Sequence, residues 1–169
     1  MAASTVLPGF LSETLAKSHF RTVAGYLATD GEINPAELLT QFRQAGATIL
    51  LPRTGPQQSL YFAPEGDLAD TGLAGIPEPQ SPAIELASGQ PPVLMLVPSV
   101  ALDRRGGRLG RGGGYYDRIL PQARELGWTL CGLCYAADLQ ESLPLESHDI
   151  SVDWCLTEQG LLIPGNGRT

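Results

Sequence analysis

Residues 102–120 of this chain read LDRRGGRLGRGGGYYDRIL, and the rest of the sequence is organised around them. Six of the 20 glycines and five arginines fall within this stretch. The apolar run at residues 93–97 just before it has the length of a buried strand, and the apolar residues from Tyr115 to Leu126 recur at helical spacing. The sequence therefore predicts a strand, a glycine-rich loop and a helix in succession, with arginines beside the start of the helix.

This arrangement predicts an anion-binding site. The first turn of a helix leaves backbone N–H groups unpaired, and the helix dipole adds positive charge there. Glycines let the backbone adopt left-handed conformations and approach a ligand closely. The planar guanidinium groups of Arg108 and Arg111 suit bidentate contacts to phosphate or carboxylate. The predicted ligand is a small anion.

The common nucleotide motifs do not fit the loop. Walker A requires a lysine after its last glycine, and the only lysine of the chain is Lys17. Counted from Gly110, the Rossmann spacing Gly-x-Gly-x-x-Gly fails at Tyr115. RGG-type RNA-binding tails are repeated and disordered, whereas this is a single loop between two apolar elements. The remaining structural alternative is a long surface loop without a ligand.

The stretch 103–118 resembles the signature of the 5-formyltetrahydrofolate cyclo-ligases, also called methenyltetrahydrofolate synthetases, in the pattern Asp-x-x-Gly-x-Arg-Leu-Gly-x-Gly-x-Gly-Tyr-Tyr-Asp-Arg. Weaker matches extend from about Tyr26 to Glu158. The resemblance implies a ligase that uses ATP and Mg²⁺ to convert 5-formyltetrahydrofolate to 5,10-methenyltetrahydrofolate, releasing ADP and phosphate. The ATP-binding residues that it implies are Arg108, Leu109, Gly110, Arg111, Gly112, Gly113, Gly114, Tyr115 and Tyr116. Of these, Arg111, Gly112, Gly113, Gly114 and Tyr115 are also implied to contact the folate.

Two weaker matches imply further folate contacts. The sequence GEIN at residues 31–34 resembles a Gly-Glu-Ile-acidic turn of the family, with Asn34 at the acidic position. The sequence GIPEP at residues 75–79 resembles the family's Gly-Ile-x-Glu-Pro segment, which implies that Glu78 meets the pterin. Judged from the residues alone, Asn34 is also a suitable helix cap, and Glu78 is also compatible with a solvent-facing position.

The resemblance further implies that Asp117 and Asp149 hold Mg²⁺. Asp149 belongs to residues 144–153, which resemble a Pro-x-Glu-x-His-Asp-x-x-Val-Asp run of the family. Magnesium prefers one or two carboxylates together with phosphate oxygens and waters, so this sparse donor set is chemically sensible. The alternative roles are a helix first-turn charge for Asp117 and a turn residue for Asp149. His148 is interpreted as a structural residue.

The N-terminus departs from the family pattern. Relatives begin with a helix carrying Lys-x-x-x-Arg, and the residues before Leu7 are too few for such a helix. Lys17 and Arg21 have the same spacing but immediately precede the first predicted strand, so the match is interpreted as a coincidence. We therefore expect one domain over residues 1–169 that lacks the family's N-terminal helix.

Alternating strands and helices predict a three-layer α/β/α domain of Rossmann-like type with a mostly parallel sheet and its ligand site beyond the carboxyl ends of the strands. The predicted strands lie near residues 22–27, 48–51, 59–63, 93–97, 129–135, 154–157 and 161–163. The predicted helices lie near residues 35–45 and 115–126, with one more that starts near residue 7 or 11 and ends near residue 20. Cys131 and Cys134 lie three positions apart on a predicted strand and should face opposite sides of the sheet. They are interpreted, with Cys155, as core residues and not as a metal or redox site.

Composition and charge narrow the functional class. A net charge of −7 argues against binding of nucleic acid, and the sequence contains no apolar run near the ~20 residues of a membrane span. The first residues do not read as a signal peptide, so we expect a cytoplasmic protein, and we expect a monomer. Two functional alternatives stay open: a family member that binds folate or nucleotide without turnover, and a different small-molecule phosphotransferase with the same loop.

Overall fold

The structure is a computed structural model that describes Gly9, Leu15, residues 17–69, Gly72 and residues 75–165. The helix predicted near residues 7–20 lies largely outside the described residues. Among the helices of the described part, none is long and apolar enough to cross a membrane.

Two α-helices can be bounded within the described residues, and they are accompanied by short strands. The helices are α1 (Ala36–Gln44) and α2 (Tyr115–Glu125). The strands are β1 (Thr22–Ala24), β2 (Thr48–Thr54), β3 (Leu60–Pro64), β4 (Leu68–Ala69), β5 (Glu78–Pro79), β6 (Val93–Pro98), β7 (Ala101–Asp103), β8 (Arg108–Leu109), β9 (Thr129–Leu133), β10 (Leu139–Gln140), β11 (Trp154–Thr157) and β12 (Gly160–Leu162).

Seven strands form the main sheet in the order β12-β11-β9-β6-β1-β2-β3. The five central strands are parallel, and the edge strands β12 and β3 are antiparallel to their neighbours. Two small sheets, β10-β7-β8 and β4-β5, lie outside it. The predicted mostly parallel sheet is confirmed.

The core lies on both faces of the main sheet. On one face, Leu38, Leu39 and Phe42 of α1 pack against residues that include Ile49 and Leu94. On the other face, Ile119, Leu120 and Ala123 of α2 pack against residues that include Met95 and Leu130. Each helix buries one apolar stripe against the sheet, as amphipathic surface helices do. The three-layer α/β/α architecture is therefore confirmed.

The cysteines are core residues, as predicted. Cys131 belongs to the cluster under α1, whereas Cys134 and Cys155 belong to the cluster under α2. Cys131 and Cys134 thus face opposite sides of the sheet, as the alternation along a strand requires.

Two local predictions were wrong. The strand predicted near residues 48–51 is longer than expected, because β2 continues through Pro52 to Thr54. The parallel pairing of β2 with β1 ends at Leu50, and beyond that point β3 is the neighbour of β2. Pro52 lies in this part of β2, where a residue without a backbone N–H is tolerated because one side of the strand is unpaired. The glycine-rich stretch was expected to be one loop, yet residues 101–109 form the β7–β8 hairpin.

Candidate active site

A cavity of about 700 Å³ opens at the carboxyl ends of β1, β2 and β6. Parallel neighbours end at the same edge of a sheet, so the loops that follow them meet there. The lining residues are Tyr26, Leu27, Thr29, Asp30, Glu32, Pro52, Thr54, Leu60, Ile76, Glu78, Pro98, Arg108, Gly110, Arg111, Gly112, Gly113, Gly114, Tyr115, Tyr116 and Asp117. Most of the residues predicted from the glycine-rich stretch are therefore brought together in one cavity.

The second half of the glycine-rich stretch, residues 110–114, forms one wall of this cavity, and we call it the glycine loop. Gly112 and Gly114 have φ values of +88° and +75°, which lie in the left-handed region that favours glycine. Gly114 occupies the N-cap of α2, and no side chain of the described residues caps that helix end. The first-turn N–H groups of α2 therefore start at the cavity wall, which favours an anion there.

Arg108 is held rigidly beside the loop, and its side chain is only 7% exposed. Nε and Nη2 both donate to the Pro98 carbonyl, at 3.3 and 3.0 Å, and Nη1 donates to Oδ1 of Asp117 at 3.3 Å. The guanidinium carbon lies 5.6 Å from the centre of the Tyr116 ring, a cation–π distance. Burial lowers the pKa of the Arg108 guanidinium from its usual value, and the charge of Asp117 opposes that change. A guanidinium stays protonated in this setting, so Arg108 supplies a fixed positive charge at the loop.

Arg111 spans the mouth of the cavity. Its Nη2 donates to the Asp30 carbonyl at 2.5 Å, and its Nε lies 3.5 Å from Oε1 of Glu32. Both partners belong to the turn between β1 and α1, on the wall opposite the glycine loop. The side chain is 51% exposed, so it remains reachable from solvent.

The β7–β8 hairpin, which forms the first half of the glycine-rich stretch, is held by the buried carboxyl group of Asp103. The sequence analysis did not predict this role. Oδ1 of Asp103 accepts the N–H groups of Arg105 and Gly107 at 2.9 and 2.8 Å, and Oδ2 accepts that of Leu143 at 2.9 Å. The carbonyl of Gly106 accepts the N–H of Val152 at 2.8 Å. The Asp-x-x-Gly pattern was the available signal, because aspartate often accepts bonds from the backbone just after it. Asp103 thus fixes the hairpin from which Arg108 projects.

Glu78 lines the cavity at the end of β2. Its side chain is buried, and Oε1 accepts the N–H of Thr54 at 2.8 Å and the Thr54 hydroxyl at 2.5 Å. Two donors on a single oxygen fix the carboxyl group in place. The alternative of a solvent-facing Glu78 was wrong.

Three residues of the predicted site lie elsewhere. Asn34 is not a lining residue, and its Oδ1 accepts the N–H of Ala36 at 3.0 Å, which is the helix-start role given as its alternative. Leu109 is exposed and pairs with Ala101 in the β7–β8 hairpin. Asp149 is also outside the lining, and its Oδ2 accepts the N–H of Glu146 at 2.8 Å within a turn. The structure therefore does not bring Asp149 to the cavity beside Asp117.

In the turn between β1 and α1, Asp30 and Glu32 line the cavity, and the sequence reasoning had passed over Glu32 in favour of Asn34. The sequence feature that could have identified Glu32 as a site residue was its acidic side chain within the Gly-Glu-Ile segment. Lys17 and Arg21 are both exposed, and neither lines the cavity.

The donor set near the glycine loop fits a magnesium ion that arrives with a phosphate ligand. The carboxylate of Asp117 lies at the cavity in the first turn of α2 and is 68% exposed. The described residues contain no cluster of three or more His, Cys, Asp or Glu side chains that would hold a metal by itself. Magnesium is commonly bound through one or two carboxylates, with phosphate oxygens and waters completing its shell.

The cavity also offers apolar and aromatic surface. Leu60, Ile76 and Pro52 line it beside Tyr115 and Tyr116. Burial raises the pKa of Tyr116 above 10.0, and Tyr26 is shifted in the same direction for the same reason. Both phenols are therefore neutral near pH 7. The partly exposed rings of Tyr115 and Tyr116 provide flat faces for a planar heterocycle.

Comparison with known proteins agrees with this geometry. The model of the 5-formyltetrahydrofolate cyclo-ligase family matches residues 9–158. The 5-formyltetrahydrofolate cyclo-ligase of Escherichia coli K12 is 32% identical over 141 residues, which are 80% of this chain and 77% of that protein. The enzyme of that name from Mycolicibacterium smegmatis is 33% identical over 147 residues, covering 81% of this chain and 73% of that one.

A solved structure is similar over nearly the whole chain. The NMR structure of Aquifex aeolicus 5,10-methenyltetrahydrofolate synthetase superposes with a TM-score of 0.73 at 26% identity, covering 95% of this chain and 83% of that chain. The family match, the relatives and the shared fold all point to the same enzyme family. The matched region includes the glycine-rich signature, part of which forms the cavity wall. The chain belongs to the 5-formyltetrahydrofolate cyclo-ligase family.

Proposed function

We propose that this protein catalyses the ATP-dependent closure of 5-formyltetrahydrofolate to 5,10-methenyltetrahydrofolate, with release of ADP and phosphate. The observation that carries the proposal is a single cavity with two chemically different halves. One half has the glycine loop, Arg108 and Arg111, and suits a triphosphate. The other has apolar side chains and the buried carboxyl group of Glu78, and suits a pterin with its amino groups.

The reaction needs ATP because a formyl oxygen is a poor leaving group. The formyl oxygen attacks the γ-phosphorus and the bond to the bridging oxygen breaks, so ADP leaves and the formyl carbon becomes activated. The N10 nitrogen of the same folate then attacks that carbon. Phosphate departs with the former formyl oxygen, and the N10 proton passes to solvent. The ring closes without a covalent bond to the protein.

The protein's part in this chemistry is positioning and electrostatic stabilisation. Transfer of a phosphoryl group depends on alignment of the reacting oxygens and on charge opposite the phosphoryl oxygens. The N–H groups of the glycine loop and of α2, together with Arg108 and Arg111, provide that charge. Glu78, held by Thr54, accepts hydrogen bonds from the pterin and sets the orientation of the folate. The buried thiols are not needed as nucleophiles.

Asp117 is the residue proposed to hold Mg²⁺, through its exposed carboxylate beside the loop. The ion would neutralise part of the charge of the triphosphate. Asp149 remains a prediction of the sequence resemblance, since it does not line the cavity in this structure.

The direct test is a spectroscopic assay. The protein is mixed with 5-formyltetrahydrofolate and MgATP, and the near-ultraviolet absorbance of the methenyl product is followed, with reactions lacking ATP or containing a chelator as controls. We expect an ATP-dependent rise at catalytic protein concentration. The Arg111→Ala variant is expected to lose about two orders of magnitude in kcat/KM, as enzymes do when a group that stabilises transition-state charge is removed. Full activity in that variant would contradict the proposed role of Arg111.

Titration calorimetry separates the two alternatives. Binding of the folate without turnover indicates a binding protein that has lost catalysis. Binding of a nonhydrolysable MgATP analogue with no binding of any reduced folate indicates a different phosphotransferase.

A further inference from the structure

We propose that Gln58 is a further binding residue for the reaction, and that its carboxamide donates a hydrogen bond to the terminal phosphate of ATP. The residue belongs to the turn between β2 and β3, residues 55–59, which we call the β2–β3 turn and which is not part of the cavity lining described above. The inference rests on the proposed function, in which the glycine loop holds the triphosphate.

The β2–β3 turn is held in a conformation that glutamine seldom adopts. Gln57 and Gln58 have φ values of +56° and +61°, in the left-handed region where a Cβ is crowded against the backbone. Glycine would adopt this conformation without that cost, yet both positions carry long polar side chains. Residues in such conformations cluster at active sites and ligand clamps. The geometry of the turn alone therefore does not explain why side chains are present here.

The fold fixes this turn against the start of α2. Arg118 of α2 donates a hydrogen bond from Nη1 to the Gln57 carbonyl. Within the turn, the N–H of Gly55 donates to the Ser59 carbonyl at 3.0 Å, and the N–H of Ser59 donates to the Pro56 carbonyl at 3.1 Å. The turn is therefore tied to the helix whose first N–H groups face the cavity.

The side chain of Gln58 extends toward the first residue of the uncapped helix end. Its Oε1 lies 3.5 Å from the position that a Cβ on Gly114 would occupy, and Gly114 is the N-cap of α2. Within the part of the chain that the structure describes, the Gln58 carboxamide takes part in no hydrogen bond. A half-turn of the amide group brings Nε2, which can donate two hydrogen bonds, to the same place. The side chain thus offers a donor where the helix favours an anion.

The position of the turn indicates which phosphate group Gln58 meets. Thr54 and Leu60, on either side of the turn, line the half of the cavity that suits the folate, whereas Gly114 lines the half that suits the triphosphate. Gln58 therefore lies where the two halves meet. In the proposed reaction the formyl oxygen reaches the γ-phosphorus at that boundary, so the phosphate group nearest to Gln58 is the terminal one.

The test compares nucleotides with and without that phosphate. Calorimetry measures the affinities for MgADP and for the Mg²⁺ complex of the β,γ-imido analogue of ATP in the wild type and in Gln58→Ala. We expect the variant to bind the analogue about tenfold more weakly and MgADP within about twofold of the wild type, because a hydrogen bond to a charged phosphate is lost only in the first case. In turnover, kcat/KM for ATP should fall by a similar factor.

The matched control is Gln57→Ala, which makes the same change at the neighbouring residue of the same turn. The bond from Arg118 uses the backbone carbonyl of Gln57, so this control should leave both affinities unchanged. Gln58→Glu keeps the length of the side chain but replaces the donor with a negative charge, and it should weaken binding of the analogue more than Gln58→Ala does. If Gln58→Ala melts far below the wild type, Gln58→Glu serves for the comparison of the two nucleotides.

The other outcomes overturn the inference. An equal loss for both nucleotides would mean that Gln58 supports the glycine loop without contacting the terminal phosphate. A loss confined to 5-formyltetrahydrofolate would make Gln58 a folate contact, and no loss at all would mean that its side chain has no part in binding. If the wild type forms no methenyl product and binds neither nucleotide, the proposed function fails as well. Turnover by the wild type, with nucleotide affinities that Gln58→Ala leaves unchanged, removes the inference alone.

Discussion

At the scale of single residues, the two arginines of the site lie close together in the sequence but differ in burial and in bonding partners. Arg108 is buried and bonded to the Pro98 carbonyl and to Asp117, whereas Arg111 is half exposed and reaches across the cavity. Both were predicted from the glycine-rich stretch. Their different burial depends on the β7–β8 hairpin and on the turn after β1, which are distant in sequence and so left no local signal.

Glu78 gives a residue-scale prediction that separates the two halves of the cavity. In Glu78→Gln, the amide oxygen can still accept the bonds from Thr54, while the second oxygen becomes an NH₂ group that cannot accept a hydrogen bond from a pterin amine. Hydrogen bonds to charged groups contribute about 1.5–3 kcal/mol, so we expect folate affinity to fall roughly 10- to 150-fold. Calorimetry with 5-formyltetrahydrofolate measures this change.

The same variant should bind the MgATP analogue as tightly as the wild type, because the contacts of Glu78 are with Thr54 and not with the glycine loop. The matched control is Glu85→Gln, at an exposed position outside the cavity lining, which should change neither affinity. A parallel loss of nucleotide and folate binding in Glu78→Gln would contradict the division of the cavity into two halves.

At the scale of elements, the β7–β8 hairpin connects the core to the glycine loop, and Asp103 holds the hairpin together. Three backbone N–H groups from two segments converge on its buried carboxyl group. In Asp103→Asn, the Oδ2 position becomes an NH₂ group that faces the N–H of Leu143, or the amide flips and faces those of Arg105 and Gly107. At least one buried donor loses its acceptor in either case, which costs about 1–3 kcal/mol. We expect the free energy of unfolding in urea to fall by about that amount.

The backbone of the β7–β8 hairpin should open more often in this variant than in the wild type. Hydrogen exchange of the amides in residues 104–109 is expected to quicken in Asp103→Asn, while exchange in β1 and β2 follows only the overall loss of stability. A variant as stable as the wild type, with unchanged exchange in the hairpin, would show that Asp103 is not its anchor.

The elements that sequence could predict are those whose signal is local. The helical spacing of apolar residues after Gly114 predicted residues 115–126, and α2 spans Tyr115–Glu125. The hairpin could not be predicted, because β8 has two residues and forms only by pairing with β7, which pairs in turn with the distant β10. The turn at residues 31–34 was predicted to meet the ligand, but only the backbone geometry decides that Glu32, and not Asn34, lines the cavity.

At the scale of the whole molecule, the buried thiols between the sheet and its helices make the stability of the fold depend on pH. Burial raises the pKa of Cys134 to about 12 and that of Cys155 to about 11, from a reference of 9.0. Burial also raises the pKa values of Tyr26 and Tyr116 above 10.0. In every case the folded state holds the proton more tightly than the unfolded state does.

The sign of the pH dependence follows from these directions. Below pH 9.0 the thiols are protonated in both states, so their contribution to stability is fully present. Between pH 9.0 and about 12 the unfolded thiols lose protons that the folded ones keep, so the free energy of unfolding falls as the pH rises. We therefore expect urea midpoints to be steady from about pH 7 to 8.5 and to fall progressively above pH 9. The double variant Cys134→Ala, Cys155→Ala should show a shallower fall, with Cys131, whose pKa is also raised by burial, and the two tyrosines responsible for the part that remains. An equally steep fall in that variant would show that Cys134 and Cys155 do not cause the alkaline sensitivity.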